Sequence, residues 1–234
     1  MARHGQRRIF VPTRSAEDWR PLLAKPDEHW KEGYSAHCLA TCWQGAIGVP
    51  PEISSLVLSH PEFSGAAPEL IIGLPELQTS LPGGTTASQT DLFAIVACGD
   101  ELIALGIEGK VAESFDETLG KWLADASSGK KERLEYLCGL LELRPPLPEA
   151  IRYQLLHRAA AAVIEARRFK IKNVALVIHS FSPEHLWFSD FVGWCKLFGQ
   201  VPERGKLVFL TTLSGTRLYA GWATGNVSRA GIAG

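Results

Sequence analysis

The chain has 234 residues, of which 46% are hydrophobic and 21% charged, with a formal net charge of −1 and a mean hydropathy of +0.02. That is enough sequence to bury one sizeable core, and it contains no 18-residue apolar run of the kind a transmembrane helix needs. A charge so close to neutral does not advertise a nucleic-acid-binding surface, although charge can be local.

The opening Met1-ARHGQRRIFVP carries arginines without an apolar stretch, so no secretory signal is expected and cytoplasmic residence follows. Residues 1–34 are polar and rich in Pro and Trp and read as an irregular surface arm; residues 35–234 read as one domain, with a C-terminal elaboration from about 185. Ser35 is placed to cap a helix over Ala36 to Ile47, with Leu39, Trp43 and Ile47 at fourfold spacing. Pro50-Pro51 ends it and starts a second short helix at Glu52. Glu69 to Leu81 reads as a strand interrupted at Pro75, followed by the turn Pro82-Gly83-Gly84.

Asp91 to Lys110 reads as a β-hairpin turning at Cys98-Gly99-Asp100-Glu101. Helices near 115–126 and 131–142, the break Pro145-Pro146-Leu147-Pro148, and a long helix from Glu149 to Phe169 come next. The long helix carries an apolar stripe at Ile151, Leu155, Ala159, Ala162 or Val163, and Ala166. Val174-ALVIHSF has the β-branched, apolar character of an interior strand. A helix from Ser189 to Leu197 and the strand pair Lys206-LVFLTTL and Thr216-RLYAGWA complete the chain. The fold class is therefore α/β with a mixed, α+β type of sheet.

Chemistry concentrates on the hairpin. Its two ends bring Asp91 back beside Glu108, while Glu108 and Lys110, two apart on one strand, share a face. Two carboxylates at one sheet edge repel unless a cation joins them, and Mg²⁺ or Mn²⁺ is the expected guest. A lysine beside such an ion can orient a water and stabilise charge on a phosphate under attack. Chance supplies about 0.8 Glu-x-Lys triplets in a chain of this composition, so the strand-turn-strand setting and the upstream Asp91 carry the signal.

These parts resemble the PD-(D/E)xK nuclease superfamily, in which a hairpin supplies Asp and then Glu-x-Lys to a metal site. The order helix, three meandering strands, helices, strand is similar to that superfamily's restriction-endonuclease-like αβββαβ core, over roughly residues 35 to 180, with added helices and a C-terminal strand pair. The resemblance implies Asp91 and Glu108 as metal ligands, the carbonyl of Gly109 as a third, and Lys110 as the group that positions or activates water. It also implies a Gln on the following helix, for which Gln154 is the candidate, 44 residues after Lys110. The first helix lacks the glutamate that many relatives place there, and Glu76, on the strand paired with that of Asp91, is the preferred substitute over Glu52 and Glu69. The segments around Gly33-Tyr34-Ser35-Ala36, Leu81 to Asp91 and His179-Ser180-Phe181-Ser182 look like those of a bacterial family of unknown function that carries this motif.

The expected activity is metal-dependent phosphodiester hydrolysis, with nucleic acid as partner and a homodimer as a natural way to cut two strands. The alternatives are a catalytically silent nucleic-acid- or protein-binding module on the same fold, or a small-molecule phosphoesterase, which the neutral charge would suit. Glu113 is read as adding negative potential or capping the helix that follows. Arg167, Arg168, Lys170 and Lys172, with Arg152 and Arg158 upstream, read first as a solvated helix end favoured by the dipole, with phosphate contact as the functional alternative. Five scattered cysteines are an odd number and read as free thiols. His37, Cys38 and Cys42 lack a second half for zinc, and His179-Ser180 lacks a Gly-x-Ser-x-Gly elbow.

Overall fold

A computed structural model describes residues 10–225. Its centre is one six-stranded mixed sheet. β1 (Glu69–Thr79), β2 (Ser88–Cys98) and β3 (Glu101–Lys110) form the expected antiparallel meander. β4 (Asn173–Ser180) then lies parallel to β3, and β6 (Thr216–Thr224) parallel to β4, with β5 (Leu207–Leu213) antiparallel on the far edge. Every residue of β4 is buried, as its unbroken apolar sequence requires of a strand covered on both faces. The C-terminal hairpin thus extends the sheet itself.

Before the sheet come α1 (Pro26–His29), α2 (Ser35–Gly45) and α3 (Pro51–Leu58); after β3 come α4 (Leu119–Leu123), α5 (Ser128–Leu140) and α6 (Tyr153–Arg168); α7 (Phe188–Cys195) follows β4. α2 and α3 cover one sheet face, where Leu39, Trp43, Ile53 and Leu56 pack on Leu92, Ala94, Leu105, Ile107 and Val177. α5, α6 and α7 cover the other, over Phe93, Ile95, Ala104, Leu176, Ile178 and Trp222. The predicted stripe of α6 is buried throughout. Its run Ala159 to Ala162 lets the helix seat closely: a Cβ on Gly106 of β3 would lie 2.7 Å from the Cβ of Ala162.

Several local expectations need correction. β1 passes through Pro75 without a break, because β1 is an edge strand and a residue lacking N–H is tolerated there. The arm carries a 3₁₀ helix (Ala16–Leu22) and α1 and buries Trp19, so it is not irregular; its first nine residues lie outside those described. Ser35 is the first residue of α2 and caps nothing, and Ile47 lies beyond the end of that helix, fully exposed. The helix near 115–126 shrinks to α4 because Asp116 has φ 26° and Thr118 takes the N-cap. α6 begins at Tyr153, since Arg152 is tied in an antiparallel bridge to Thr118. All five cysteines are buried and none forms a disulfide.

Candidate functional site

The site forms where the sheet splits. The β2–β3 ladder ends at Leu92 opposite Ile107, whereas β2 goes on pairing with β1 to Ser88 and β3 goes on pairing with β4 to Lys110. The two strands therefore part, and the N–H of Gly109 would lack a ladder partner. The Asp91 carboxylate enters the fork and accepts that hydrogen bond, Oδ2 lying 2.9 Å from the Gly109 nitrogen. The carbonyl of Lys110 accepts from Phe181 of the β4 segment at 2.7 Å. Carbonyls alternate along a strand, so that of Gly109 is directed to the side of β2, where the sequence expects a ligand.

Register places three carboxylates in a row. Pro75 pairs with Leu92 and Leu77 with Thr90, which sets Glu76 opposite Asp91; extending the β2–β3 register sets Asp91 opposite Glu108. Glu76 is half-buried and has φ 52°, a left-handed backbone that costs a non-glycine residue and is often kept at functional positions. Its Oε2 accepts from Gln89 Nε2 at 2.9 Å, and the same amide donates to the carbonyl of Leu22, which ties the arm to the site.

Glu108 is the hub, with a side chain only 3% exposed. Its Oε1 accepts from Lys110 Nζ at 2.7 Å and from Gln154 Nε2 at 2.8 Å; its Oε2 accepts from Arg158 Nε at 2.6 Å. Gln154 and Arg158 stand one turn apart on the face of α6 that the close seating on Gly106 brings down onto β3. Arg158 also reaches toward Asp91, Nη2 lying 3.7 Å from Oδ1, while Nη1 donates to Ser88 Oγ at 3.3 Å. Ser88 Oγ lies 2.9 Å from Nδ1 of the half-buried His157. Lys110 Nζ lies 5.1 Å from the centroid of the buried Phe115 ring.

Charge is unevenly shared in this group. Burial, then the Glu108 charge, pushes Asp91 up to about 7; burial, then Asp91, pushes Glu76 up to about 9. Burial would also raise Glu108, but Arg158 and Lys110 outweigh it and hold that carboxyl at about 2. Burial, followed by Arg158, drives His157 well below the ordinary histidine range. Two carboxylates are thus short of positive charge, and the buried Oε1 of Gln154 has no hydrogen-bond partner. Carboxylate, carbonyl and amide oxygens are the hard donors that Mg²⁺ or Mn²⁺ takes, so the donor types here fit the expected metal. A groove of about 1100 Å³ between the arm (Phe10 to Arg14, Asp18, Pro21, Leu22) and residues 73–78 of β1 opens onto Glu76.

The structure thus brings together every residue the sequence nominated: Glu76, Asp91, Glu108, Gly109, Lys110 and Gln154. It adds Arg158, which the sequence reading left in a solvated basic cluster although its side chain is 11% exposed. The available signal was its position four residues after Gln154. Other members of that cluster serve the fold: Arg167 donates to Thr216 Oγ1 and the Leu213 carbonyl, Arg168 pairs with Glu165, and Arg152 with Asp190. Glu113 does not cap the helix after it. It accepts from Ser35 N at 2.9 Å and Val111 N at 3.0 Å, and so pins the start of α2 to the end of β3.

Among the described residues, one group of metal-ligating atoms lies within 4.8 Å of one another, and it is on the other sheet face: Cys42, Glu52 and His179. Its donor types would suit zinc. However, the Trp43 indole donates to His179 Nδ1 at 3.3 Å, which assigns the ring proton to Nε2, directed at Glu52 Oε1 3.0 Å away. Burial pushes Glu52 up, but the hydrogen bonds from His179, from its own backbone N–H and from Cys42 together outweigh it and keep the carboxyl below its ordinary range. With both ring nitrogens engaged, the group is a hydrogen-bonded tie joining α2, α3 and β4.

Fold and site together define a mixed α/β protein with a buried acid–lysine–glutamine centre at a split in its sheet. The chain belongs to the family described as domain of unknown function DUF6946, whose model matches residues 12–227. No curated protein and no solved structure matches it. Among the described residues no helix is long and apolar enough to cross a membrane.

Proposed function

We propose that the protein is a member of the PD-(D/E)xK superfamily and hydrolyses a phosphodiester of nucleic acid with the help of Mg²⁺ or Mn²⁺. The observation that carries this reading is the convergence of Asp91, Glu108, Lys110 and Gln154 at one fork of the sheet, from strands and a helix far apart in sequence. Asp91, Glu108 and the Gly109 carbonyl would hold the ion, with Glu76 and Gln154 Oε1 beside them. When bound, the ion supplies Lewis-acid polarisation of a phosphate oxygen and of the attacking water.

The remaining work falls to the chain. Lys110 has only Glu108 as an ion-pair partner among the described residues, so its other N–H groups are available to hold a water in line with the phosphorus and to offset charge on the phosphate. The Phe115 ring beside Nζ shields it from bulk water, which strengthens that interaction. Glu108, kept ionised by Arg158 and Lys110, stays available as an acceptor across the neutral pH range.

The test is cleavage of linear, supercoiled, single-stranded and RNA substrates in Mg²⁺, Mn²⁺ or EDTA, comparing wild type with Lys110→Ala. Metal-dependent cutting that the variant loses, with its fold and metal-induced stabilisation kept, is the expected result. Equal cutting by both proteins, or cutting in EDTA, would overturn the mechanism. One observation favours a second reading, a silent binding module: Arg158 already satisfies Glu108 at 2.6 Å. That reading predicts no cutting under any condition.

A further inference from the structure

We infer that Arg158 is a resident cation that competes with the metal for the fork between Asp91 and Glu108, so that the site opens to metal only when this guanidinium gives way. The inference rests on the metal-site reading above and names the residue that regulates it.

Three observations converge on it. The guanidinium touches Glu108 and approaches Asp91, the two carboxylates nominated as ligands, from one side chain. Its two grips are unequal: 2.6 Å and hydrogen-bonded to Glu108, but 3.7 Å and beyond hydrogen-bond range to Asp91. Moreover, the acidic oxygens of Glu76, Asp91 and Glu108 do not form a cluster within 4.8 Å, whereas the ligand atoms of Cys42, Glu52 and His179 do. The carboxylates are spaced around a broad planar cation, and a small divalent ion would have to draw them inward. Asp91 Oδ1, only loosely held by Arg158 while Oδ2 accepts from Gly109, is the ligand oxygen most easily turned to an ion.

A second resting place exists for the displaced group. Arg158 already approaches Ser88 Oγ at 3.3 Å, and Ser88 Oγ is held 2.9 Å from His157 Nδ1. Withdrawal toward Ser88 would leave Glu108 with Lys110 and Gln154 and free its Oε2. A planar guanidinium suits this exchange because it holds oxygens by several donors and can release one while keeping another.

The experiment is Mn²⁺ binding by calorimetry to wild type, Arg158→Gln, Arg158→Lys and Lys110→Met, with no nucleic acid present. Arg158→Gln should bind Mn²⁺ about ten- to a hundredfold more tightly than wild type, the change in Kd equivalent to one hydrogen bond to a charged group. Lys110→Met removes an equal charge from the same carboxylate, but one whose ion pair is with Glu108 and does not bridge to Asp91, and should tighten binding less. Equal tightening in both would mean a simple charge effect and overturn the competition, as would Arg158→Gln binding no better than wild type; either result leaves the metal site standing. No binding by any folded variant would overturn the metal reading and this inference together. Binding by Arg158→Gln but not by wild type would support the competition and show that the arginine keeps the native site closed. Should Arg158→Gln fail to fold, Arg158→Lys is judged by the same criterion, since an ammonium keeps the charge but cannot span both carboxylates.

Discussion

Raising the pH of the metal-free protein should destabilise it, in the range where most proteins change little. In the folded chain Asp91 holds its proton to about pH 7 and Glu76 to about pH 9, both because burial and a neighbouring carboxylate oppose ionisation. Unfolded, the two groups would ionise near 3.8 and 4.5. Between those limits the folded chain binds more protons than the unfolded one, so stability falls as pH rises. Glu108 has the opposite sign: held at about 2, it contributes stability that is complete above about 4.5 and is lost as pH falls toward 2. The optimum for this cluster therefore lies near pH 4, where the gain from Glu108 and the loss from Asp91 and Glu76 balance.

Each group contributes about 1.4 kcal/mol per pH unit within its window. Asp91 alone then accounts for about 3 kcal/mol between pH 5 and pH 7, or about 6 to 12 °C in Tm for a chain of this size. Thermal unfolding followed by circular dichroism in EDTA, at pH 5, 6, 7 and 8, would measure it against the double variant Asp91→Asn, Glu76→Gln. The amide oxygen introduced by Asp91→Asn can still accept from Gly109, so the fork is kept while the titration is removed. Parallel pH profiles for the two proteins, or a wild type that gains stability from pH 5 to pH 7 relative to the variant, would refute the reasoning. Saturating Mn²⁺ should flatten the wild-type decline, because a cation replaces the protons.

Two further substitutions test how the fold holds the site. Gly106→Val forces a side chain into the 2.7 Å approach of Ala162 and should cost about 1–3 kcal/mol by overpacking, read as a lower denaturant midpoint, while lifting Gln154 and Arg158 away from Glu108. Glu113→Ala leaves the N–H groups of Ser35 and Val111 without their acceptor and should cost about 1–2 kcal/mol; unchanged amide exchange at the start of α2 would argue against the tether.

Much of this architecture was legible in the chain. Two apolar runs either side of the turn Cys98-Gly99-Asp100-Glu101 marked a hairpin, the unbroken apolar run of Val174 to Ile178 marked a central strand, and the stripe from Ile151 to Ala166 marked the face of α6. These signals are local, because burial of a strand or helix face imposes a period on the sequence. The same periodicity put Glu108 and Lys110 on one side of one strand, and strand pairing then put Asp91 beside them. The sequence by itself thus determined the meander and the residues of the acid–lysine centre.

Where the expectations failed, the deciding contact was long-range. Ser35 looked like a cap, yet the acceptor for the start of α2 comes from Glu113, 78 residues away. Pro75 looked like a break because nothing in the local sequence says that β1 is an edge strand. Arg158 looked like one of several solvated cations, since a basic residue near a helix end has the same composition whether it faces water or a buried carboxylate. Only the seating of the Ala-rich face of α6 against Gly106 turned it inward, and only the parting of β2 from β3 made a space for its charge. Side-chain environment depends on which surfaces meet in three dimensions, a property that neither periodicity nor motif spacing encodes.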